Sequence, residues 1–204
     1  MDRGGHGTAS VRPGRASSVT DLGDGTILRE GGVPEREAAI MELARSHGFP
    51  VPRVHDVRPE ALVLERIDGP TMGQGLARRP WRLTRDIRTL GKLHQRLHAI
   101  PFEGASLVHF DLHPDNVMVS SQGPVVIDWT NAHAGSPDAD VAMTWIILET
   151  SAGLPGRLLA WVFRRRVGRD VVQRGLADAS AFRLSDPNVT EDEKERVRRA
   201  VAHL

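Results

Sequence analysis

Asp111, Asn116 and Asp128 are three oxygen-donor side chains whose order and spacing could do chemistry. Asp111 and Asn116 lie five apart around Pro114, in the polar segment Val108-His109-Phe110-Asp111-Leu112-His113-Pro114-Asp115-Asn116. Two β-prone runs, Asn116 to Val119 and Val125 to Trp129, flank Ser120-Ser121-Gln122-Gly123-Pro124, so a hairpin is expected to return Asp128, at the end of its strand, beside Asn116. A carboxylate, a carboxamide and a second carboxylate form a hard ligand set suited to Mg2+ held against phosphate oxygens. Phosphoryl transfer needs such a set, because it depends on neutralising and aligning phosphates and on a base set against the incoming hydroxyl. Asp111 is the candidate base.

The elements that must position these residues can be read on either side of them. Ser18-Val19-Thr20-Asp21-Leu22 and Thr26-Ile27-Leu28-Arg29 surround a Gly-Asp-Gly turn and predict a hairpin. Pro34 in a first turn, the apolar set Ala38, Ile40, Met41, Leu43 and Ala44, and the stop at Gly48 and Pro50 predict one helix after it. Ala61 to Ile67 is a further strand candidate, broken by Asp68-Gly69-Pro70. Leu83, Ile87, Leu90, Leu93, Leu97 and Ile100 recur at three and four residues, which predicts a helix over 82–100. Everything after Asp140 reads as helical, and Thr190 with Glu193 three residues on predicts a capping box at the start of the last helix. The order implies an α+β chain in two unequal lobes.

Composition narrows the classes. At 204 residues, with 40% hydrophobic and 26% charged residues, the chain is expected to fold as one unit or two small lobes around a cleft. A net charge of +1 offers no field for nucleic acid or anionic lipid, so neither is an expected partner. The lack of cysteine removes disulfides, thiolate metal sites and cysteine nucleophiles. The apolar runs are too short to span a bilayer, and the first 19 residues carry no apolar core of a secretory signal, so the expected location is the cytoplasm.

His109-x-Asp111-x-x-x-x-Asn116 followed by Ile127-Asp128-Trp129 resembles the aminoglycoside phosphotransferase and choline kinase relatives of the protein kinase fold. Gly135-Ser136-Pro137-Asp138-Ala139-Asp140-Val141-Ala142 is similar to a downstream segment of that family, Glu35-Arg36-Glu37-Ala38 and Val51-Pro52-Arg53-Val54 to its first helix and the Pro-rich loop after it, and Leu64-Glu65-Arg66-Ile67-Asp68-Gly69 to its inter-lobe linker. The resemblance implies a bilobal fold with a small β-rich nucleotide-binding lobe carrying one helix over residues 1–67, of which 1–17 would be flexible, and a mostly helical catalytic lobe over residues 68–204. It also implies transfer of the γ-phosphoryl group of ATP or GTP to a hydroxyl of a small molecule. The nucleotide base would lie against Leu64, Glu65, Arg66 and Ile67; Arg29, placed by Glu37, would steady the phosphates. Asn116 and Asp128 would hold Mg2+, Asp111 would act on the acceptor hydroxyl, and Asp140 and His109 would support the loop.

The chain departs from the pattern in three places. Its only lysines are Lys92 and Lys194, so Arg29 stands where a phosphate-gripping lysine is expected. No clean glycine-rich loop is present, and Gly14 to Ser18 is the nearest candidate for covering the phosphates. Only 40 positions separate Gly69 from His109, most of them expected in a single helix, which implies a reduced acceptor subdomain. A nucleotide-binding pseudokinase without turnover and a metal-dependent hydrolase built on His109-x-Asp111-x-His113 are the alternatives, the second opposed by Pro114 and by the lack of another histidine cluster. His94 and His98 are expected to decorate a helix face, Arg164-Arg165-Arg166 a solvated one, Trp81, Trp145 and Trp161 to pack in the core or between lobes, and Trp129 to lie beneath the metal site.

Overall fold

Asp21 and Asp24 close the first turn by accepting the backbone N–H groups of Gly23 and Thr26 at 2.9 and 3.0 Å. This sets the register of β1 (Ser18–Asp21) against β2 (Thr26–Glu30) in a computed structural model that describes residues 18–151 and 153–204. The expectations for residues 1–17, including all of the phosphate-covering turn except Ser18, lie outside the described residues. α1 (Pro34–Ser46) opens on Pro34 with Glu35 and Glu37 in its first turn, where acidic groups suit the helix dipole, and buries Ile40, Met41 and Ala44. β3 (Val54–Arg58) and β4 (Ala61–Glu65) complete an antiparallel sheet of order β1-β2-β4-β3, in which Arg29 pairs with Leu62.

Helices dominate the rest. α2 (Met72–Arg78) carries a capping box between Thr71 and Gln74, a 3-10 turn covers Pro80–Arg82, and α3 (Leu83–His98) buries Ile87, Leu90, Leu93 and Leu97. β5 (Pro101–Phe102), β6 (Ala105–Val108) and, later, β9 (His133–Gly135) form a small sheet below a 3-10 turn at Pro114–Asn116. β7 (Val117–Ser120) and β8 (Gly123–Val126) make the expected hairpin. α4 (Pro137–Ser151), α5 (Gly153–Val167), α6 (Arg169–Ser185) and α7 (Glu191–Ala202) follow. α4 is apolar on every side, with Val141, Met143, Trp145, Ile146, Ile147 and Leu148 all buried, because it packs against α3, α5, α6 and α7 at once. One hydrophobic core runs from Leu62 and Ala38 through Leu112 to Phe163.

The break at Asp68-Gly69-Pro70 is tied down. Gly69 has φ 137°, and a Cβ there would overlap the carbonyl of Val119, whose N–H donates to Pro70 O at 2.9 Å. The connection between the sheet and the helices therefore rests on the hairpin that leads to Asp128.

The architecture is the α+β arrangement the element order implied, with several corrections. β3 and the sheet of β5, β6 and β9 were not anticipated: β3 is a polar, mostly exposed edge strand, and the others are four residues or fewer. The stretch from Gly69 to His109 holds two helices rather than mainly one, because α2 hides behind two glycines in Met72-Gly73-Gln74-Gly75. Trp145 is core, but Trp81 is 77% and Trp161 48% exposed, so only one of the three packs as expected. Thr190 caps α7 by accepting the Glu193 N–H at 3.3 Å, while the Glu193 carboxylate pairs with Arg183. Among the described residues no helix is long and apolar enough to cross a membrane.

Candidate active site

The loop after β6 is held from below by Asp140, in the first turn of α4. Its Oδ1 accepts the Phe110 N–H at 2.7 Å and its Oδ2 the His109 N–H at 3.3 Å, fully out of solvent. Those bonds over-determine a backbone that reaches φ 60° at Phe110, a left-handed conformation that costs a non-glycine residue energy. His98 Nε2 lies 2.8 Å and His94 Nδ1 3.4 Å from the same carboxylate oxygen. Burial by itself would raise the Asp140 pKa, but the two histidines outweigh it and hold the carboxyl well below its usual range. The expectation that His94 and His98 decorate a helix face is thus corrected: His94 is 2% exposed, and both turn inward because α3 packs on α4. His109 supports the loop through its ring, which meets Trp129 edge-on at 5.0 Å, while its two nitrogens find no hydrogen-bond partner among the described residues. Burial lowers its pKa and keeps it neutral.

Asp111 sits at the mouth of this loop. Asn116 Nδ2 donates to both the backbone carbonyl and Oδ2 of Asp111, each at 2.9 Å, which fixes the Asp111 rotamer and turns the Asn116 carboxamide oxygen away from it. His113 Nδ1 accepts the Asp115 N–H at 3.3 Å, so a neutral His113 carries its proton on Nε2, 3.7 Å from Asp111 Oδ1. Burial pushes the Asp111 carboxyl up, with the neighbouring His113 opposing it.

Asp128 lies two residues beyond β8 rather than at a strand end, with φ 62°. The Ile127 N–H donates to Asn116 O at 3.0 Å, and this rung carries Asp128 to the level of Asn116. Thr130 Oγ1 donates to Asp128 Oδ1 at 2.8 Å. Arg29 then joins the two parts of the fold: Nη1 donates to Glu37 at 2.6 Å, Nη2 to Thr130 Oγ1 at 2.5 Å and to Asp128 Oδ1 at 3.3 Å. Arg29 and Glu37 are 6% and 4% exposed, and burial raises the Glu37 pKa against the lowering influence of Arg29.

Asp111, Asn116 and Asp128 line one cavity of about 710 Å³ together with Thr130, Arg183 and Arg196. The hard-donor set fits a magnesium ion in its chemistry: the Asn116 oxygen is not spent on Asp111, and Asp128 has a second carboxylate oxygen beside the one held by Arg29 and Thr130. Leu64, Glu65, Arg66 and Ile67 do not line this cavity. Leu64 is buried in β4, Glu65 accepts the Arg53 N–H, and Arg66 pairs with Asp21 and Asp68 at the surface. His109 and His113 do not come together as ligands, since the one close His/Asp/Glu cluster among the described residues is His94, His98 and Asp140. Thr130 and the Arg183–Glu193 pair were missed, and His113 was weighed only as a ligand of a metal hydrolase. Thr130 stands two residues from Asp128, a proximity that could have flagged it, as His113 stands two from Asp111; the pair spans α6 and α7 and leaves no local signal.

The model of the phosphotransferase enzyme family matches residues 103–173, from the turn after β5 into α6. The chain is 28% identical over 156 residues to a probable bifunctional tRNA threonylcarbamoyladenosine biosynthesis protein of Methanoculleus marisnigri, covering 67% of this chain and 28% of that protein. It is 34% identical over 108 residues to the serine/threonine-protein kinase rio2 of Schizosaccharomyces pombe, covering 51% and 29%, and 28% identical over 124 residues to the EKC/KEOPS complex subunit BUD32 of Encephalitozoon cuniculi, covering 60% and 58%. The chain thus spans less than two thirds of each of these relatives. In structure it is similar to a streptomycin-ATP-APH(2")-IIa ternary complex, at a TM-score of 0.66 and 11% identity over 87% of this chain and 83% of the other. It is also similar to a choline/ethanolamine kinase family protein from Mesorhizobium loti, at 0.63 and 15% over 97% and 86%. The fold is that of the kinase-like phosphotransferases, and the resemblance to aminoglycoside phosphotransferases and choline kinases is borne out.

Proposed function

We propose that this chain moves the γ-phosphoryl group of ATP or GTP onto a hydroxyl of a small molecule, with the nucleotide between residues 18–67 and the helical part from residue 68 onward. One observation carries the reading: Asp111 and Asn116 are hydrogen-bonded to each other and share a cavity with Asp128, which Arg29 links to buried Glu37. Magnesium, when bound, would neutralise the phosphate charge, and Asn116 and Asp128 would hold it. Arg29 would offer guanidinium donors to the phosphates from a position set by Glu37 and Thr130. Asp111 would orient the acceptor hydroxyl and take its proton, and the elevation of its pKa by burial makes it a stronger base than an exposed aspartate. Asp140 would keep the loop in its strained shape.

A second reading places the hydroxyl on a protein, and the similarity to the serine/threonine-protein kinase rio2 supports it. Thermal shift with MgATP and MgGTP, followed by γ-labelled transfer to small alcohols and to protein acceptors, tests both. Stabilisation by a magnesium nucleotide is expected, weakened in Asp128→Ala and kept in Asp111→Asn, with transfer lost in both. Nucleotide binding without any transfer would leave a pseudokinase, and full turnover in Asp111→Asn would refute the assigned base.

A further inference from the structure

A second cavity adjoins the first. It holds about 320 Å³ between α2, α4 and α5, and its walls are mostly apolar, with Leu76, Leu83, Leu148, Leu158 and Leu159 against the polar members His113, Asp115 and Ser151. His113, Ile147 and Ser151 line both cavities, so the two share a wall beside the loop that carries Asp111. His113 forms the partition. One edge of its ring faces Asp111 at 3.7 Å, its Nδ1 is occupied by the Asp115 N–H, and the residue borders the apolar space. The larger cavity is lined instead by charged groups, among them Arg183, Glu193 and Arg196. At the rim of the smaller one Leu158 stands 52% exposed, apolar surface that a ligand could remove from water.

We propose that the acceptor joins its hydroxyl to a hydrocarbon or aromatic arm, and that this arm fills the cavity between α2, α4 and α5 while the hydroxyl reaches Asp111 past His113. The proposal rests on Asp111 as the acceptor-side base and names the substrate class of that same site. The larger cavity offers charged groups; the smaller one is mostly carbon-lined and selects by burial of carbon, worth roughly fourfold in affinity for each methylene enclosed. A volume of about 320 Å³ lies at the lower end for a ligand pocket and suits a phenyl ring on a short alkyl chain.

The test uses the full chain with a series of phenylalkanols, from 2-phenylethanol to 4-phenylbutanol, and 1,4-butanediol as a polar match. Binding is read by ligand-observed NMR without nucleotide, and phosphoryl transfer with MgATP. Each added methylene is expected to tighten phenylalkanol binding until the pocket is full. Ala77→Phe, placed at an exposed rim position, is expected to weaken phenylalkanol binding at least tenfold and to lower kcat/KM for phenylalkanols relative to the diol. Leu158→Asp, also exposed, should act in the same direction, so the outcome does not rest on one variant. Phenylalkanols that bind no better than the diol, or that bind equally to both variants, overturn the proposal. Failure of MgATP to stabilise the chain sinks the phosphotransferase reading instead, and the nucleotide-free NMR series still decides whether the cavity takes an apolar arm.

Discussion

The guanidinium of Arg29 reaches Glu37, Asp128 and Thr130 with one planar group, and no single ammonium can span that fork. Arg29→Lys is therefore expected to keep the ion pair with Glu37 but lose Thr130 and Asp128, raising KM for MgATP about tenfold with a smaller change in stability. Arg29→Met should cost about 3–5 kcal/mol in a denaturant titration, because it leaves Glu37 buried without its partner; Glu37→Gln in the same chain should recover part of the loss. Asp111 works in the opposite sense. Burial raises its folded pKa above its unfolded value, so the native state binds its proton more tightly and stability from this group falls as pH rises through that interval. Asp111→Asn is expected to abolish turnover and to raise Tm at pH 7, with the stability gain vanishing at pH values below the unfolded carboxyl's pKa. A fall in Tm at pH 7 would mean that Asp111 is there for structure.

At the scale of elements, α4 organises the site. Asp140 in its first turn holds the loop backbone; one turn later Thr144 Oγ1 donates to Leu112 O at 2.6 Å and so accepts from His94 Nε2 at 3.0 Å. Thr144→Val is isosteric but strands the His94 N–H and the Leu112 carbonyl, and should cost about 1–3 kcal/mol by chemical denaturation together with a loss of kcat. Gly175 of α6 lies so close to the start of α4 that a Cβ would overlap the carbonyl of Asp138. Gly175→Ala is expected to push α6 away from Asp138 and Asp140, lowering Tm by several degrees and kcat with it, whereas an alanine at Gly75, where a Cβ would meet nothing within 4 Å, should be tolerated. α1, α3 and α7 were legible because each carries its signal internally: a proline start, an apolar repeat, a threonine cap. β3 and α2 were not. The first is an exposed edge strand without clean alternation, and the second owes its stability to Thr71 and to burial of Met72 and Leu76 rather than to propensity.

For the molecule as a whole, the response to pH follows from its buried histidines. Burial lowers the pKa of His94 and of His109 below the ordinary imidazole value of 6.5, so unfolding takes up a proton at each. Stability is expected to hold near neutral pH and to fall as pH drops below about 6.5, with a slope of up to about 1.4 kcal/mol per pH unit for each histidine. His109→Phe should flatten that limb. Asp140 adds a later one, since its depressed carboxyl contributes stability above the unfolded value of 3.8 that is lost as pH falls from there toward its low folded pKa. Denaturant-derived stabilities measured from pH 8 down to about pH 2 check both limbs. The types and order of Asp111, Asn116, Asp128, Asp140, Arg29 and Glu37, and the alternation of strands and helices around them, were legible from sequence alone, because short-range spacing, turns and apolar period are written along the chain. That Arg29 would reach Asp128, that His94 and His98 would turn in toward Asp140, and that an apolar cavity would open beside His113 were decided by tertiary packing. Each depends on the distance between elements remote in sequence, and such distances are set only when the helices and sheet close on a common core.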